Sequence, residues 1–121
     1  FGTAASVSPH TRSGRLRGLA VTGGHRSALL PELPAIAESG LPGYEMLNWL
    51  GMFAPAGTPR AVVEKLSSEL VRIVRMPEVS GALQAAGAEP SPLGPDEFAA
   101  FVKSEVEKWA KVVAATGMSA N

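Results

Sequence analysis

GMFAPAGTP, Gly51–Pro59, decides how the rest of this chain is read. Its first half continues the apolar run MLNWL (Met46–Leu50), and the two together make an extended segment bounded by turn residues. The length of that run and the AGTP that follows it argue for a strand rather than a helix. Its second half starts a helix. Thr58 is expected to cap it and Pro59 to occupy its first position, where a missing amide costs nothing.

Downstream, Val62, Val63, Leu66, Leu70, Ile73 and Val74 fall on one face at helical spacing. Pro77 restarts the chain as a shorter helix through Val79, Ala82, Leu83 and Ala86, stopped by Gly87. AEPSPLG is a connector with a short edge strand expected at 88–90. A last helix opens at Pro95 with Asp96 and Glu97 in its first turn, where carboxylates complement the helix dipole. Phe98, Phe101, Val102, Val106, Trp109, Val112 and Val113 give it a buried face, and Gly117 ends it.

Upstream, FGTAASVSPHTRSG (Phe1–Gly14) reads as a turn and a short helix capped by Ser6 and closed by Gly14. RLRGLAVTG (15–23) grows more apolar toward Thr22 and reads as a strand buried at one end. After a loop holding Pro31 and Pro34, PAIAESG (34–40) reads as a short helix closed by Gly40. The sum is two or three strands and about five helices, with the C-terminal half rich in helix. That is too few strands for a self-sufficient sheet, and three helices carry apolar faces that need a partner surface. Either the chain is a helical module, or it is a piece of an α/β protein whose sheet lies elsewhere.

The totals exclude several functions. Hydrophobic residues make up 45% and charged residues 18% of 121, enough for a packed core. Eleven basic and eleven acidic residues cancel, so the whole chain presents no footprint for nucleic acid or an anionic membrane, and no local basic patch is identified. The lack of cysteine removes disulfides, thiol nucleophiles and Cys-ligated metals. No apolar run approaches the roughly 18 residues of a membrane span. No secretory signal opens the chain, and Phe1 is not an initiator methionine, so the chain is expected to begin downstream of its natural start.

No catalytic set assembles either. His10 and His25 share no metal-binding spacing and read as surface or loop residues. Gly23-Gly24 follows a strand but belongs to no phosphate-loop pattern. Asp96, the only aspartate, lies where a helix start wants it. Lys103, Glu105, Glu107, Lys108 and Lys111 read as a solvated face, with Lys103–Glu107 and Glu107–Lys111 spaced for ion pairs. Tyr44 and Trp49 either pack the core or line a cleft. Neither enzymatic activity nor a cofactor or metal is expected.

Read in order, FGTAASVSPHTRSGRLRGLAVT, PELPAIAESGLPGYE, NWLGMFAPAGTP, PEVSGALQAAGAEP, PDEFAAFVKSEVEKWAKVV and the terminal ATG resemble the Bug family, the periplasmic receptors of tripartite tricarboxylate transporters. The resemblance covers essentially the whole chain and matches about the last two-fifths of the longer family members. It implies an α/β fragment of a type II periplasmic-binding-protein fold, two lobes closing on a ligand. On that likeness, residues 1–43 form the end of the second lobe and the return segment. Residues 44–121 form a crossing strand plus C-terminal helices packing on the first lobe.

The resemblance also implies the function: a periplasmic receptor that delivers small carboxylates to membrane components of the transporter, with no catalysis and no nucleic acid. Phe1, Gly2 and Thr3 would lie at the rim of the cleft and contact ligand. Many members carry Asp after the opening Phe; Gly2 here removes that carboxylate. A second expectation, from the apolar helix faces alone, is a self-associating interaction module, a homodimer.

Overall fold

Backbone capping explains most of the helix boundaries in the computed structural model, which describes residues 1–118. The last three residues of the expected 44–121 region lie outside the described residues. The elements are α1 (Ala4–Arg12), a short 3₁₀ helix (Ile36–Ser39), α2 (Arg60–Val74), α3 (Pro77–Ala85) and α4 (Pro95–Thr116). They fall into two units. One comprises residues 1–53 and 74–91, the other residues 54–73 and 92 onward.

In the first unit, α1 is capped by Thr3, not by Ser6 as expected. The Thr3 hydroxyl accepts from the Ser6 amide at 3.3 Å, and the Thr3 carbonyl takes the Ser6 and Val7 amides at 3.0 and 3.1 Å. Ser6 is the third helical residue, so it answers the cap instead of making it. α3 ends in a Schellman motif: Ala88 N–H donates to the Leu83 carbonyl and Gly87 N–H to Gln84, both at 2.9 Å.

The expected strands are a point of correction. Among the described residues no strand forms; the only ladder contact is an isolated parallel bridge between Val21 and Ala35. Val21 N–H donates to Pro34, Ile36 N–H donates to Val21, and Met46 N–H donates to Thr22 at 2.8 Å. Val21–Thr22 is thus flanked on both edges, but by one residue pair each. The apolar pattern of 15–23 and 46–55 is strand-like; a strand as a hydrogen-bonded ladder also needs a neighbour of similar length. Leu50, Met52 and Phe53 are consequently exposed. The 88–90 segment is likewise unpaired as a strand.

In the second unit, α2 begins one residue later than expected. The Pro59 carbonyl accepts from Val62 and Val63, while the Thr58 hydroxyl donates to the Pro55 carbonyl at 2.8 Å and closes the preceding turn. α4 opens at Pro95 as expected. The Glu97 carboxylate accepts from the Gly94 amide at 3.0 Å, half of a capping box, since Gly94 has no side chain to complete it. Gly117 closes α4 with φ 67°.

Only Ala35 and Glu105 are buried among the described residues. On α2, Val63 and Leu70 are half-buried while Val62, Leu66 and Ile73 are exposed; on α4, Phe98, Phe101, Val102 and Val112 are half-buried, while Val106, Trp109 and Val113 of the expected buried face are exposed. The expected solvated face of α4 needs one correction. Glu105 is buried, accepts the Trp109 indole N–H at 3.2 Å and pairs with Lys108, whose ammonium lies 5.8 Å from the Trp109 ring centre. Lys103–Glu107 and Glu107–Lys111 do not close among the described residues. A carboxylate with an indole donor one turn away is worth burying, which the charge pattern alone does not reveal.

Candidate functional site

The three residues singled out for ligand contact, Phe1, Gly2 and Thr3, lie together at the start of α1 and are all exposed. Thr3 is committed to capping: besides the Ser6 amide, its hydroxyl donates to Ser6 Oγ, which in turn donates to the Thr3 carbonyl at 2.9 Å. Gly2 lies close to α1, and a Cβ built on it would stand 2.5 Å from Val7 Cγ1. An Asp at this position therefore requires Val7 to shift. The amides of Ala4 and Ala5, just inside the cap, have no intrahelical acceptor, and that end of the helix is electropositive.

Sequence reading treated Gly87 only as a helix stop. The structure gives it a second duty in the same unit. Its Cα faces the first turn of α1, where an added Cβ would lie 2.4 Å from the Ala5 amide nitrogen and 2.6 Å from Ala5 Cα. No pattern in one sequence marks such a contact; the only hint is a glycine placed just after a helix.

Between α1 and α3 a notch of about 90 Å³ is lined by Ala4, Ala5, Ser8, Arg12, Gln84 and Gly87 among others. That is roughly three waters' share of liquid volume and well short of the several hundred Å³ of a small-molecule pocket. It fits a single carboxylate group, not a whole diacid.

Nearby, Ser27 fixes the loop before the 3₁₀ helix. Its hydroxyl donates to Glu89 and accepts the Leu29 amide at 3.1 Å. His25 Nδ1 lies 3.1 Å from the Arg26 carbonyl, and Arg26 pairs with Glu38 at 3.0 Å. His10 and His25 are exposed and the structure does not bring them together with an acid or nucleophile; no group of metal-binding side chains occurs among the described residues. Tyr44 and Trp49 are half-buried. No helix among the described residues is long and apolar enough to cross a membrane.

Asp96 has a partner the sequence did not suggest. Arg60 at the start of α2 places its two terminal nitrogens 3.4 and 3.0 Å from the Asp96 oxygens and its Nε 2.7 Å from Glu64. Hydrogen bonding to Asp96, then to Glu64, raises the guanidinium pKa. On the same helix, Glu69 is held below the usual carboxylate range by hydrogen bonds from Lys65 and then Arg72. Arg60 is exposed and Glu69 partly exposed. These are architectural ties, not a reaction centre.

The sequence matches the tripartite tricarboxylate transporter family receptor over residues 2–118. It is 44% identical to a protein of the tcbD–tcbE intergenic region in Pseudomonas sp. (strain P51), over 88% of this chain and 32% of that protein. It is 35% identical to BugT of Bordetella pertussis over 93% of this chain and 34% of that protein. Among solved structures it is similar to R. palustris Rpa4515 with adipate, at 34% identity and a TM-score of 0.81, over 96% of this chain and 39% of that one. MatC from Rhodopseudomonas palustris with bound malate gives 30% identity and a TM-score of 0.75, over 91% of this chain and 38% of that one. The periplasmic binding protein BugD gives 35% identity and a TM-score of 0.75, over 92% and 38%. The chain thus spans about a third of the length of these curated relatives. Its architecture is the corresponding helix-rich share of a periplasmic-binding-protein fold. The chain belongs to the tripartite tricarboxylate transporter receptor family, whose members are solute-binding receptors and not enzymes.

Proposed function

We propose that this chain serves in a periplasmic receptor that binds small carboxylates and delivers them to the membrane components of a tripartite tricarboxylate transporter. The observation that carries this reading is the likeness, over nearly the whole chain, to a protein solved with adipate, supported by the likeness to one solved with malate. Both ligands are flexible dicarboxylates, so the class favoured is a small diacid.

Within that reading, residues 1–43 belong to the end of the second lobe and the return segment. Residues 44–121 supply the crossing segment and the helices of the first lobe. The chain's own share of the site is the rim at Phe1, Gly2 and Thr3. Two features support that placement: the exposure of all three residues and the electropositive start of α1 beside them.

A chimaera tests the reading. This chain replaces the matching segment of R. palustris Rpa4515, and adipate and malate are titrated in by calorimetry. Binding of a diacid by the folded chimaera is expected, weakened by Thr3→Val. A folded chimaera that binds neither diacid overturns the proposal. The 121-residue chain alone is expected to bind them poorly.

A second reading, a self-associating module, is favoured by one observation: Leu50, Met52 and Phe53 are 92%, 72% and 69% exposed in one segment without helix or strand. Light scattering across a dilution series distinguishes it, and a monomer at every concentration counts against it.

A further inference from the structure

The neutral total hides a lopsided distribution of charge. Residues 1–31 contain Arg12, Arg15, Arg17 and Arg26 and no acidic side chain; the first is Glu32. Arg26 is neutralised by Glu38. Arg12, Arg15 and Arg17 are exposed and have no ion-pair partner among the described residues. They are brought close by the turn that ends α1, in which Gly14, at φ 73°, donates to the Thr11 carbonyl and the Leu16 amide folds back onto His10. The three make a local cluster that the neutral total hides, short of the patch expected for nucleic acid or an anionic membrane.

Two further features surround these arginines. The notch of about 90 Å³ is lined by Arg12 and also by Gln84. Leu16 and Leu19, 48% and 75% exposed, are interleaved with the arginines. We propose that Arg12, Arg15 and Arg17, with the notch beside Arg12, form a docking surface for a protein partner whose face carries clustered carboxylates. One partner carboxylate enters the notch and is held by the Arg12 fork and the Gln84 amide, and the others pair with Arg15 and Arg17 across the rim. This surface stands independently of the diacid-binding reading.

The chemistry favours protein carboxylates over lipid headgroups. Guanidinium forks pair with carboxylates in a bidentate way and tolerate partial desolvation. Recognition of an anionic bilayer takes clusters of roughly four to eight basic residues, and this patch has three in a chain of zero net charge. Arginine is also enriched in protein interfaces and among their energetic anchors.

The test uses the intact chain and a synthetic peptide of spaced glutamates and leucines, its glutamine counterpart, and phosphatidylglycerol vesicles, all at low ionic strength. The glutamate peptide is expected to bind, its glutamine counterpart not to. Arg12→Gln is expected to weaken binding by about tenfold, in line with loss of a charge-assisted bidentate pair. Arg12→Lys restores only part of it, because the fork is lost. The control Arg75→Gln removes the same single charge elsewhere and is expected to change little. An equal loss in the control reduces the effect to net charge and overturns the proposal. So does preference for the vesicles over the peptide, or an unchanged affinity in Arg12→Gln.

Discussion

The Cα of Gly87 stands against the Ala5 amide so closely that any Cβ on residue 87 would lie 2.4 Å from that nitrogen. The same residue holds φ at 79°, as the Schellman close of α3 requires. Two independent reasons for glycine therefore coincide at one position, and together they tie α3 to the first turn of α1, whose cap is Thr3.

Gly87→Ala is expected to destabilise the protein by about 1–3 kcal/mol, from a left-handed residue with a Cβ and a backbone clash that no side-chain rotation relieves. Gly81→Ala is its counterpart: Gly81 lies inside α3 with open space around its Cβ direction, and alanine there should stabilise by about 0.5–1 kcal/mol. Urea midpoints measure both. A loss at Gly87→Ala no greater than the roughly 1 kcal/mol of a left-handed alanine would mean that the contact with Ala5 carries no energy.

Glu105 and Trp109 make the second prediction. Trp109→Phe keeps an aromatic ring but removes the donor at 3.2 Å from a buried carboxylate, and is expected to destabilise by about 1 kcal/mol. In a double-mutant cycle with Glu105→Gln the coupling should fall between about 0.5 and 3 kcal/mol, as for directly contacting residues. Additive single effects would remove the pair from the energetics.

The third concerns pH. Glu69 titrates below its ordinary range in the folded chain because Lys65 and Arg72 donate to it. A depressed carboxyl pKa contributes stability that is present above the unfolded value and disappears as pH falls through the folded value. Thermal midpoints of the wild type should therefore fall on acidification through the carboxylate range, and Glu69→Gln should show a shallower fall. Because the group is partly open to solvent, salt should flatten the difference. A Glu69→Gln profile parallel to that of the wild type would show that the pairs contribute nothing.

Helix ends were legible because they depend on local chemistry: Pro77, Pro95, Gly87 and Gly117 act within a turn of where they stand. The cap of α1 was misplaced from Thr3 to Ser6 because both side chains carry the needed hydroxyl, and only the backbone dihedrals separate them. The strands at 15–23 and 46–55 failed for another reason. Alternation reports which faces a segment would bury, while a ladder depends on a neighbour, and Val21 has only Ala35. Similarly, Arg12, Gln84 and Gly87 meet across more than seventy residues, a proximity that no local motif encodes.

The extended segment that first decided the reading supplies the last prediction. Leu50 and Phe53 are largely exposed on backbone that forms no ladder among the described residues, beyond the bond made by Met46. Such an edge pairs readily with any other extended chain, and a zero net charge offers little repulsion to prevent it. The isolated chain should therefore associate as its concentration rises. Leu50→Lys/Phe53→Lys should shift that association to at least tenfold higher concentration, the order expected from removing two exposed anchors of about 1.5–3 kcal/mol each. Placing Lys at Leu66 and Val106 instead, both exposed on helices, tests whether the helix faces carry the association. If those changes disperse the chain and the changes at Leu50 and Phe53 do not, the interface belongs to α2 and α4, and the extended segment is only a connector.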